Sequence, residues 1–141
     1  MKLNLILSFF IVSFLLLTGC TEKEKKVEGI SWMDYNEGVK KSVEEGKPVL
    51  VDFYASWCGP CRMMDEITYE DEKVIEEILK NFIPVKVDVD KEQGLAYQYG
   101  VHSIPTIVYL DKNGNEIYRT VGYRSPSDIL ADMNKALSKI S

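Results

Sequence analysis

The alternation of apolar and polar residues divides the chain into an apolar start, a short charged stretch and a long region of mixed helix-like and strand-like runs. Residues 29–141 have the size of one ordinary domain with a single core. Residues 49–54 are almost continuously apolar, as in a strand covered on both faces, and Asp52 is the one charge among them.

Boundary signals place the remaining elements around this strand. Glycine ends helices, Ser/Thr/Asp and proline begin them, and Asn-Gly marks a hairpin. The pattern predicts a short strand at 30–32, a helix at 35–45, the strand 49–54, a helix after Cys61, a helix capped by Thr68 and Asp71, a strand at 82–88, a short helix at 95–99, strands at 107–110 and 116–121, and a helix opened by Ser125-Pro126. This order predicts a mixed sheet sandwiched by helices.

The first nineteen residues predict an export signal. Lys2 is their only charged side chain, and the apolar run at 3–17 is shorter than the roughly twenty residues of a membrane span. Residues 17–20, Leu-Thr-Gly-Cys, resemble the lipobox of bacterial lipoproteins, which implies cleavage before Cys20 and a diacylglyceryl group on its thiol. An ordinary signal peptide and an uncleaved anchor are the alternatives.

The predicted organisation is therefore a lipoprotein signal peptide at 1–19, a lipidated N-terminus and charged tether at 20–28, and one folded domain at 29–141. The chain has 17 basic and 22 acidic residues, a net charge of −5, which argues against nucleic acid as a partner. An acidic protein also lacks the basic patch that binds anionic lipid, so membrane attachment would be covalent. We expect an extracytoplasmic location, with the lipid in the cell membrane or outer membrane.

Residues 57–61, Trp-Cys-Gly-Pro-Cys, stand where the strand gives way to a helix. Two thiols three residues apart at a helix N-terminus make a reversible disulfide, and the positive end of the helix favours the thiolate of Cys58. A zinc site would need about four ligands, and the chain has three cysteines and one histidine. Haem attachment would need histidine at position 62, which is Arg62. A purely structural disulfide stays open, although so small a loop removes little unfolded-state entropy.

The chain resembles the thioredoxin superfamily over almost all of residues 30–138. The resemblance rests on four separated motifs in the right order: 51–61 (VDFYASWCGPC), 85–88 (VKVD), 99–106 (YGVHSIPT) and 121–122 (VG). It implies an α/β thioredoxin fold whose mixed central sheet, in strand order 1-3-2-4-5, is flanked by helices on both faces. No glycine-rich phosphate-binding loop is present, so no organic cofactor is expected.

The resemblance also implies catalytic roles. Cys58 would attack a substrate disulfide to form a mixed disulfide, and Cys61 would then attack Cys58 and release the reduced substrate. Asp52, with Lys86, would help to deprotonate Cys61 through water. A buried carboxylate beside a reactive group is more often functional than not, although Asp52 as a partly solvated acid at a strand end is the alternative.

A second group of residues is implied in substrate binding. Pro105 would be the cis proline that faces the dithiol, and the backbone at Ile104 would pair with an extended substrate. Trp57 would shield the dithiol and contact partners, with ordinary aromatic packing as the alternative. Gly59 and Pro60 would let the backbone turn into the helix.

One departure from common thioredoxins affects the choice of substrate. Glu66 stands where many of them have a kinking proline, and the break at 68–71 is closer to the extracytoplasmic branch that includes the C-terminal domain of transmembrane thiol-disulfide interchange reductases. Gly59 and Pro60 between the cysteines and Ile104 before the cis proline resemble reducing thioredoxins. The resemblance therefore implies a membrane-tethered reductase that takes electrons from a transmembrane donor and passes them to oxidised proteins, apocytochrome c being one candidate. The alternatives are a disulfide oxidase or isomerase, and a peptide-binding chaperone with an incidental dithiol.

Overall fold

The structure, a computed structural model, describes residues 27–141. The predicted signal peptide at 1–19, the predicted lipidation site Cys20 and most of the predicted tether lie outside the described residues. Between residues 27 and 141, no helix combines the length and the apolar character that a membrane crossing requires.

Five α-helices and four strands follow one another along this part of the chain. They are α1 Tyr35–Glu45, β1 Val49–Tyr54, α2 Gly59–Met63, α3 Glu72–Asn81, β2 Ile83–Asp88, α4 Gln93–Gln98, β3 Thr106–Leu110, β4 Glu116–Val121 and α5 Pro126–Ser138. A π-helical segment, Met64–Thr68, continues directly from α2.

The four strands form one mixed sheet in the order β2-β1-β3-β4. β1 lies in its centre, parallel to β2 and antiparallel to β3, and β4 pairs antiparallel with β3. Leu50 of β1 packs in a core cluster with α3 and α5, whereas Val51 and Phe53 pack in a second cluster on the other face. Both faces of β1 are therefore covered, which explains its apolar run and confirms the predicted thioredoxin fold class.

The predicted first strand at residues 30–32 is wrong. Only Met33 pairs with the sheet, through a single parallel bridge to Val85. The side chains of Ile30 and Trp32 pack against the first core cluster, and Asp34 already caps α1 by accepting a hydrogen bond from a backbone N–H of its first turn. Only one residue of this segment therefore pairs with the sheet. The sheet lacks the first strand of the predicted order 1-3-2-4-5.

The helix α1 covers β2 at close range through a glycine. A Cβ atom at Gly38 would overlap the Cγ2 methyl of Val85, so only glycine allows this approach. The helix ends as predicted, at Gly46, which adopts φ 67° and donates its backbone N–H to the Ser42 carbonyl. These two glycines fix where α1 lies and where the chain turns toward β1.

The predicted capping box of Thr68 and Asp71 is also wrong. Asp71 alone is the N-cap of α3, and its carboxylate accepts hydrogen bonds from the backbone N–H groups of Lys73 and Val74. Thr68 ends the π-helical segment instead, and its hydroxyl donates to the Arg124 carbonyl at 2.6 Å. The helical run after the dithiol includes Thr68, so Thr68 belongs to the end of that run and not to the start of α3.

The C-terminal elements agree with the prediction. The Asn-Gly turn connects β3 to β4, with Gly114 at φ 83°. Ser125 caps α5, and Ser125 and Asp128 form a capping box. The Ser-Pro signal therefore begins α5 where the sequence predicts it.

Candidate active site

The dithiol lies at the end of β1, at the point where α2 begins. Cys58 and Cys61 form a disulfide with their Cα atoms 5.3 Å apart. Cys58 is the N-cap of α2, and its sulfur accepts a hydrogen bond from the Cys61 backbone N–H at 3.2 Å. Each cysteine is only 4% exposed, whereas Gly59 and Pro60 between them are exposed. The backbone turn that links the cysteines thus faces solvent, while both sulfurs lie against the protein.

The loop before β3 faces the first cysteine. The Ile104-Pro105 peptide bond is cis, as the resemblance implies, and Pro105 is buried. The Ile104 carbonyl oxygen lies 3.8 Å from the Cys58 sulfur. The Gly122 N–H donates to the Pro105 carbonyl at 2.8 Å, which ties the loop to the end of β4. The structure therefore brings together four predicted site residues: Cys58, Cys61, Ile104 and Pro105.

The predicted binding residue Trp57 has its side chain on the surface beside the dithiol. It is 68% exposed, so packing in the core does not explain it. Its indole N–H donates to the Asp90 carboxylate at 2.7 Å, and the Asp90 backbone N–H donates to the Asp88 carboxylate at 3.0 Å. Trp57 is thereby held in one orientation while most of its ring is open to a partner.

Asp52 is buried in the centre of the sheet, with Lys86 opposite it on β2. The two residues are register partners, and the Lys86 ammonium nitrogen lies 3.9 Å from Asp52 Oδ2. Burial raises the pKa of Asp52 to about 6, although the positive charge of Lys86 opposes that rise. Within the part of the chain that the structure describes, Asp52 Oδ1 and the Tyr69 hydroxyl are buried without a well-formed hydrogen bond, although Tyr69 is near enough to lower the pKa of Asp52. Asp52 can therefore gain and lose a proton near neutral pH.

Lys86 has a second carboxylate partner that the sequence pattern did not indicate. Its ammonium contacts Asp65 of the π-helical segment more closely than it contacts Asp52. The aromatic rings of Trp32, Tyr54 and Tyr69 surround the ammonium, with centroids 4.7 to 5.6 Å away. Asp65 was missed because its approach to Lys86 depends on how the segment after α2 packs over β2, and no local spacing encodes that.

The described residues give no support to a metal site. Between residues 27 and 141, no group of three or more His, Cys, Asp and Glu side chains is placed to hold an ion. The single histidine, His102, is exposed. The chemistry that this arrangement can perform is thiol-disulfide exchange at Cys58 and Cys61, and the strand that leads to them carries a buried, ionisable carboxyl at Asp52.

Comparison with known proteins agrees with this geometry. The Thioredoxin family model matches residues 26–135. A thioredoxin-like protein of Synechocystis sp. is 41% identical over 87 residues, which are 62% of this chain and 79% of that protein.

Solved structures show the same likeness. The solution structure of a thioredoxin from Thermus thermophilus has a TM-score of 0.72 and 27% identity, and the match covers 79% of this chain and 90% of that one. A putative disulphide-isomerase from Bacteroides thetaiotaomicron has a TM-score of 0.68 and 27% identity, and the match covers 79% of this chain and 96% of that one. With its buried cysteine pair at a helix N-terminus, the chain belongs to the thioredoxin family and is a thioredoxin-like thiol-disulfide oxidoreductase.

Proposed function

We propose that this protein is a membrane-tethered reductase that reduces protein disulfides outside the cytoplasm. The observation that carries the proposal is the placement of the Cys58–Cys61 pair at the N-terminus of α2, with the Ile104 carbonyl directly beside the Cys58 sulfur. This arrangement gives one sulfur for attack, a second for resolution and a stretch of backbone for the substrate.

In the reduced protein, the Cys58 thiolate would attack a substrate disulfide. The substrate S–S bond breaks, one substrate sulfur leaves as a thiolate, and a mixed disulfide forms on Cys58. The Cys61 thiolate then attacks the Cys58 sulfur, so the second substrate sulfur leaves and the Cys58–Cys61 disulfide forms. Two electrons pass from the cysteine pair to the substrate. The N-terminus of α2 supports the first step, because the Cys61 backbone N–H points at the Cys58 sulfur.

Asp52 supplies a base for the second step. Its raised pKa allows the carboxylate to accept the Cys61 thiol proton, through water, and to return it to solvent afterwards. Lys86 stabilises the charged form of Asp52 at 3.9 Å. The two residues thus keep a proton acceptor available in the interior at neutral pH.

Substrate binding would use main-chain contacts beside the dithiol. An extended substrate segment that pairs with the backbone at Ile104 places its disulfide next to the Cys58 sulfur, 3.8 Å from the Ile104 carbonyl oxygen. The exposed ring of Trp57, held by Asp90, offers an apolar contact on the other side. Neither contact depends on a particular side chain of the substrate, which suits a reductase with several protein substrates.

The first experiment measures the direction of electron flow. The full chain, extracted in detergent, is equilibrated with thiol-disulfide buffers of defined ratio, and the reduced fraction is determined by thiol alkylation. We expect a reduction potential near thioredoxin's roughly −270 mV, whereas a value near the roughly −120 mV of strong periplasmic oxidants would overturn the reductase proposal. Cys58→Ser is the control, and it should abolish disulfide reduction; retained reduction would contradict the role of Cys58 as the attacking cysteine.

Partners can then be captured on the cysteine that attacks first. Cys61→Ser should hold substrates as mixed disulfides on Cys58, because the resolving sulfur is gone. The transmembrane electron donor and the oxidised protein substrates should both be recovered by mass spectrometry from the host membrane. Cys58→Ser is the matched control, and recovery of the same proteins on it would contradict the assignment of roles.

The likeness to a putative disulphide-isomerase supports isomerisation as a second candidate activity. Oxidative refolding of a scrambled, disulfide-rich test protein separates the two. A reductase leaves the scrambled protein reduced when thiol is in excess over its disulfides, whereas an isomerase restores its native disulfides and its activity with far less thiol.

The tether has its own test. The lipobox-like residues 17–20 and the charged stretch after them support covalent attachment through Cys20. A labelled fatty acid should be incorporated into the wild-type protein in a bacterial host and not into Cys20→Ser. Equal labelling of the two proteins, or no labelling of the wild type, would contradict lipidation at Cys20.

A further inference from the structure

Lys86 is shared between two carboxylates that lie at different depths. The side chain of Asp52 is 4% exposed, that of Lys86 is 16% exposed and that of Asp65 is 43% exposed. The three charges therefore form a row from the interior of the sheet to solvent. The ammonium is not centred in that row, because its close contact is with Asp65 and its distance to Asp52 Oδ2 is 3.9 Å.

This placement has an electrostatic consequence. An ammonium in direct contact with a buried carboxylate favours the charged carboxylate strongly, whereas one drawn toward a second carboxylate favours it less. Asp65 also adds its own negative charge to the surroundings of Asp52. Both effects of Asp65 act in the same direction, toward the protonated form of Asp52.

We propose that Asp65 is a positioning residue for proton transfer at Asp52: it holds the Lys86 ammonium at the solvent side of the row, and so leaves Asp52 able to take up and release a proton. The proton moves from the Cys61 thiol to the Asp52 carboxylate and then to solvent, with no change of oxidation state in either carboxylate. The proposal rests on the proposed function, because a proton acceptor at Asp52 contributes to the reaction only if Cys61 must be deprotonated.

Two further ionisable groups act on Asp52 besides the row itself. They are the hydroxyls of Tyr69, in the turn before α3, and Tyr109 of β3. Burial raises the pKa of Tyr69 and Tyr109 well above the ordinary value, so both stay neutral across the range where Asp52 titrates. Asp65 and Lys86 are thus the groups whose charge sets the behaviour of Asp52.

The test is a pH titration of the Asp52 carboxyl carbon by NMR, on the oxidised full chain in detergent micelles. Asp65→Asn frees Lys86 to pair with Asp52, so we expect the titration midpoint of Asp52 to fall by about one pH unit. Asp65→Glu keeps the charge and should stay near the wild-type midpoint. Glu66→Gln is the matched control, since it removes the same charge from the neighbouring exposed position, and it should move the midpoint much less.

A second pair of variants separates positioning from simple repulsion between carboxylates. The Lys86→Met side chain can fill the space among the aromatic rings without a charge. If Asp65 acts through Lys86, Asp65→Asn should shift the Asp52 midpoint much less in the Lys86→Met background than in the wild type. Equal shifts in the two backgrounds would overturn the proposal, as would equal shifts from Asp65→Asn and Glu66→Gln.

The pH profile of disulfide reduction gives a functional readout. Its lower inflection should move to lower pH in Asp65→Asn and stay in place in Glu66→Gln. An unmoved inflection in Asp65→Asn would contradict the proposal. If the wild-type protein reduces no disulfide at all, the proposed function fails, while the NMR titration still decides whether Asp65 positions Lys86.

Discussion

Asp52 and Asp132 are both almost fully buried carboxylates, at 3% and 4% exposure, but their surroundings are opposite. Asp132 of α5 accepts two hydrogen bonds from the Arg124 guanidinium, at 2.7 and 3.0 Å, and one from the Tyr118 hydroxyl at 3.3 Å. Asp52 has a lysine 3.9 Å from one oxygen and no hydrogen-bond partner within residues 27–141 for the other. One carboxylate has its partners and the other does not.

The difference separates a buried carboxylate with a full set of partners from a buried carboxylate whose pKa is raised. A buried carboxylate with a bidentate arginine holds its neighbours in place. A buried carboxylate that is poorly paired costs stability, and such sites cluster where a protein needs a shifted pKa. Asp132 therefore supports the structure, and Asp52 is the one suited to exchange a proton.

The largest expected effect is the loss of the well-paired carboxylate. Asp132→Asn removes the charge that Arg124 and Tyr118 share, so we expect the free energy of unfolding to fall by about 3 kcal/mol at pH 7. Urea unfolding of the oxidised protein measures it. A change within about 0.5 kcal/mol, the range of ordinary surface substitutions, would remove the contrast between the two carboxylates.

The poorly paired carboxylate should behave in the opposite way. Burial raises the pKa of Asp52 from 3.8 to about 6, so the folded protein is penalised when the group ionises. The penalty is absent below about pH 4 and complete above about pH 6, where it amounts to about 3 kcal/mol. Asp52→Asn should therefore raise the free energy of unfolding by about 2 kcal/mol at pH 7.5, since its amide still lacks partners.

That gain should disappear as the pH falls to about 4, because Asp52 is then protonated in both the folded and unfolded states. Urea unfolding of the oxidised wild type and Asp52→Asn at several pH values traces the difference. A gain that persists at pH 4, or a loss of stability at pH 7.5, would contradict the unfavourable ionisation of Asp52. The same variant should slow disulfide reduction, because it removes the proton acceptor for Cys61.

The smallest expected change in the free energy of unfolding comes from removing one tyrosine hydroxyl beside each carboxylate. Tyr118→Phe removes the 3.3 Å hydrogen bond to Asp132, and we expect a loss of about 0.5 to 1 kcal/mol. The Tyr69 hydroxyl lowers the pKa of Asp52 but makes no well-formed hydrogen bond within residues 27–141, so Tyr69→Phe should reduce the free energy of unfolding less than Tyr118→Phe does. Thermal unfolding of the two variants, measured side by side, checks this, and equal losses would contradict it.

Much of the fold follows from local signals in the sequence. The apolar run of β1 reflects burial on both faces of the sheet, and Ser125-Pro126 and the Asn-Gly turn act through backbone conformations that neighbouring residues determine. The prediction went wrong where the outcome depends on distant packing. Residues 30–32 have a strand-like composition, but Ile30 and Trp32 are drawn into the core.

The candidate site shows the same limit. The cysteines and Asp52 could be proposed from their position after an apolar strand, and Pro105 and Lys86 from the family resemblance. The contact between Lys86 and Asp65 could not, since it joins β2 to a helical segment twenty-one residues away in the chain. The hydrogen bond from Thr68 to the Arg124 carbonyl could not be predicted from sequence either, because it joins residues fifty-six positions apart.

The low exposure of both cysteines bears on how this protein can coexist with small redox molecules. A free thiol such as glutathione has little backbone with which to displace the protein from around a sulfur that is 4% exposed. In the function that we propose, a protein substrate would gain hydrogen bonds at Ile104 and contact with Trp57 as it approaches, and these would offset the cost of uncovering Cys58. We therefore expect the dithiol to exchange more slowly with small thiols than with the protein substrates that we propose for it.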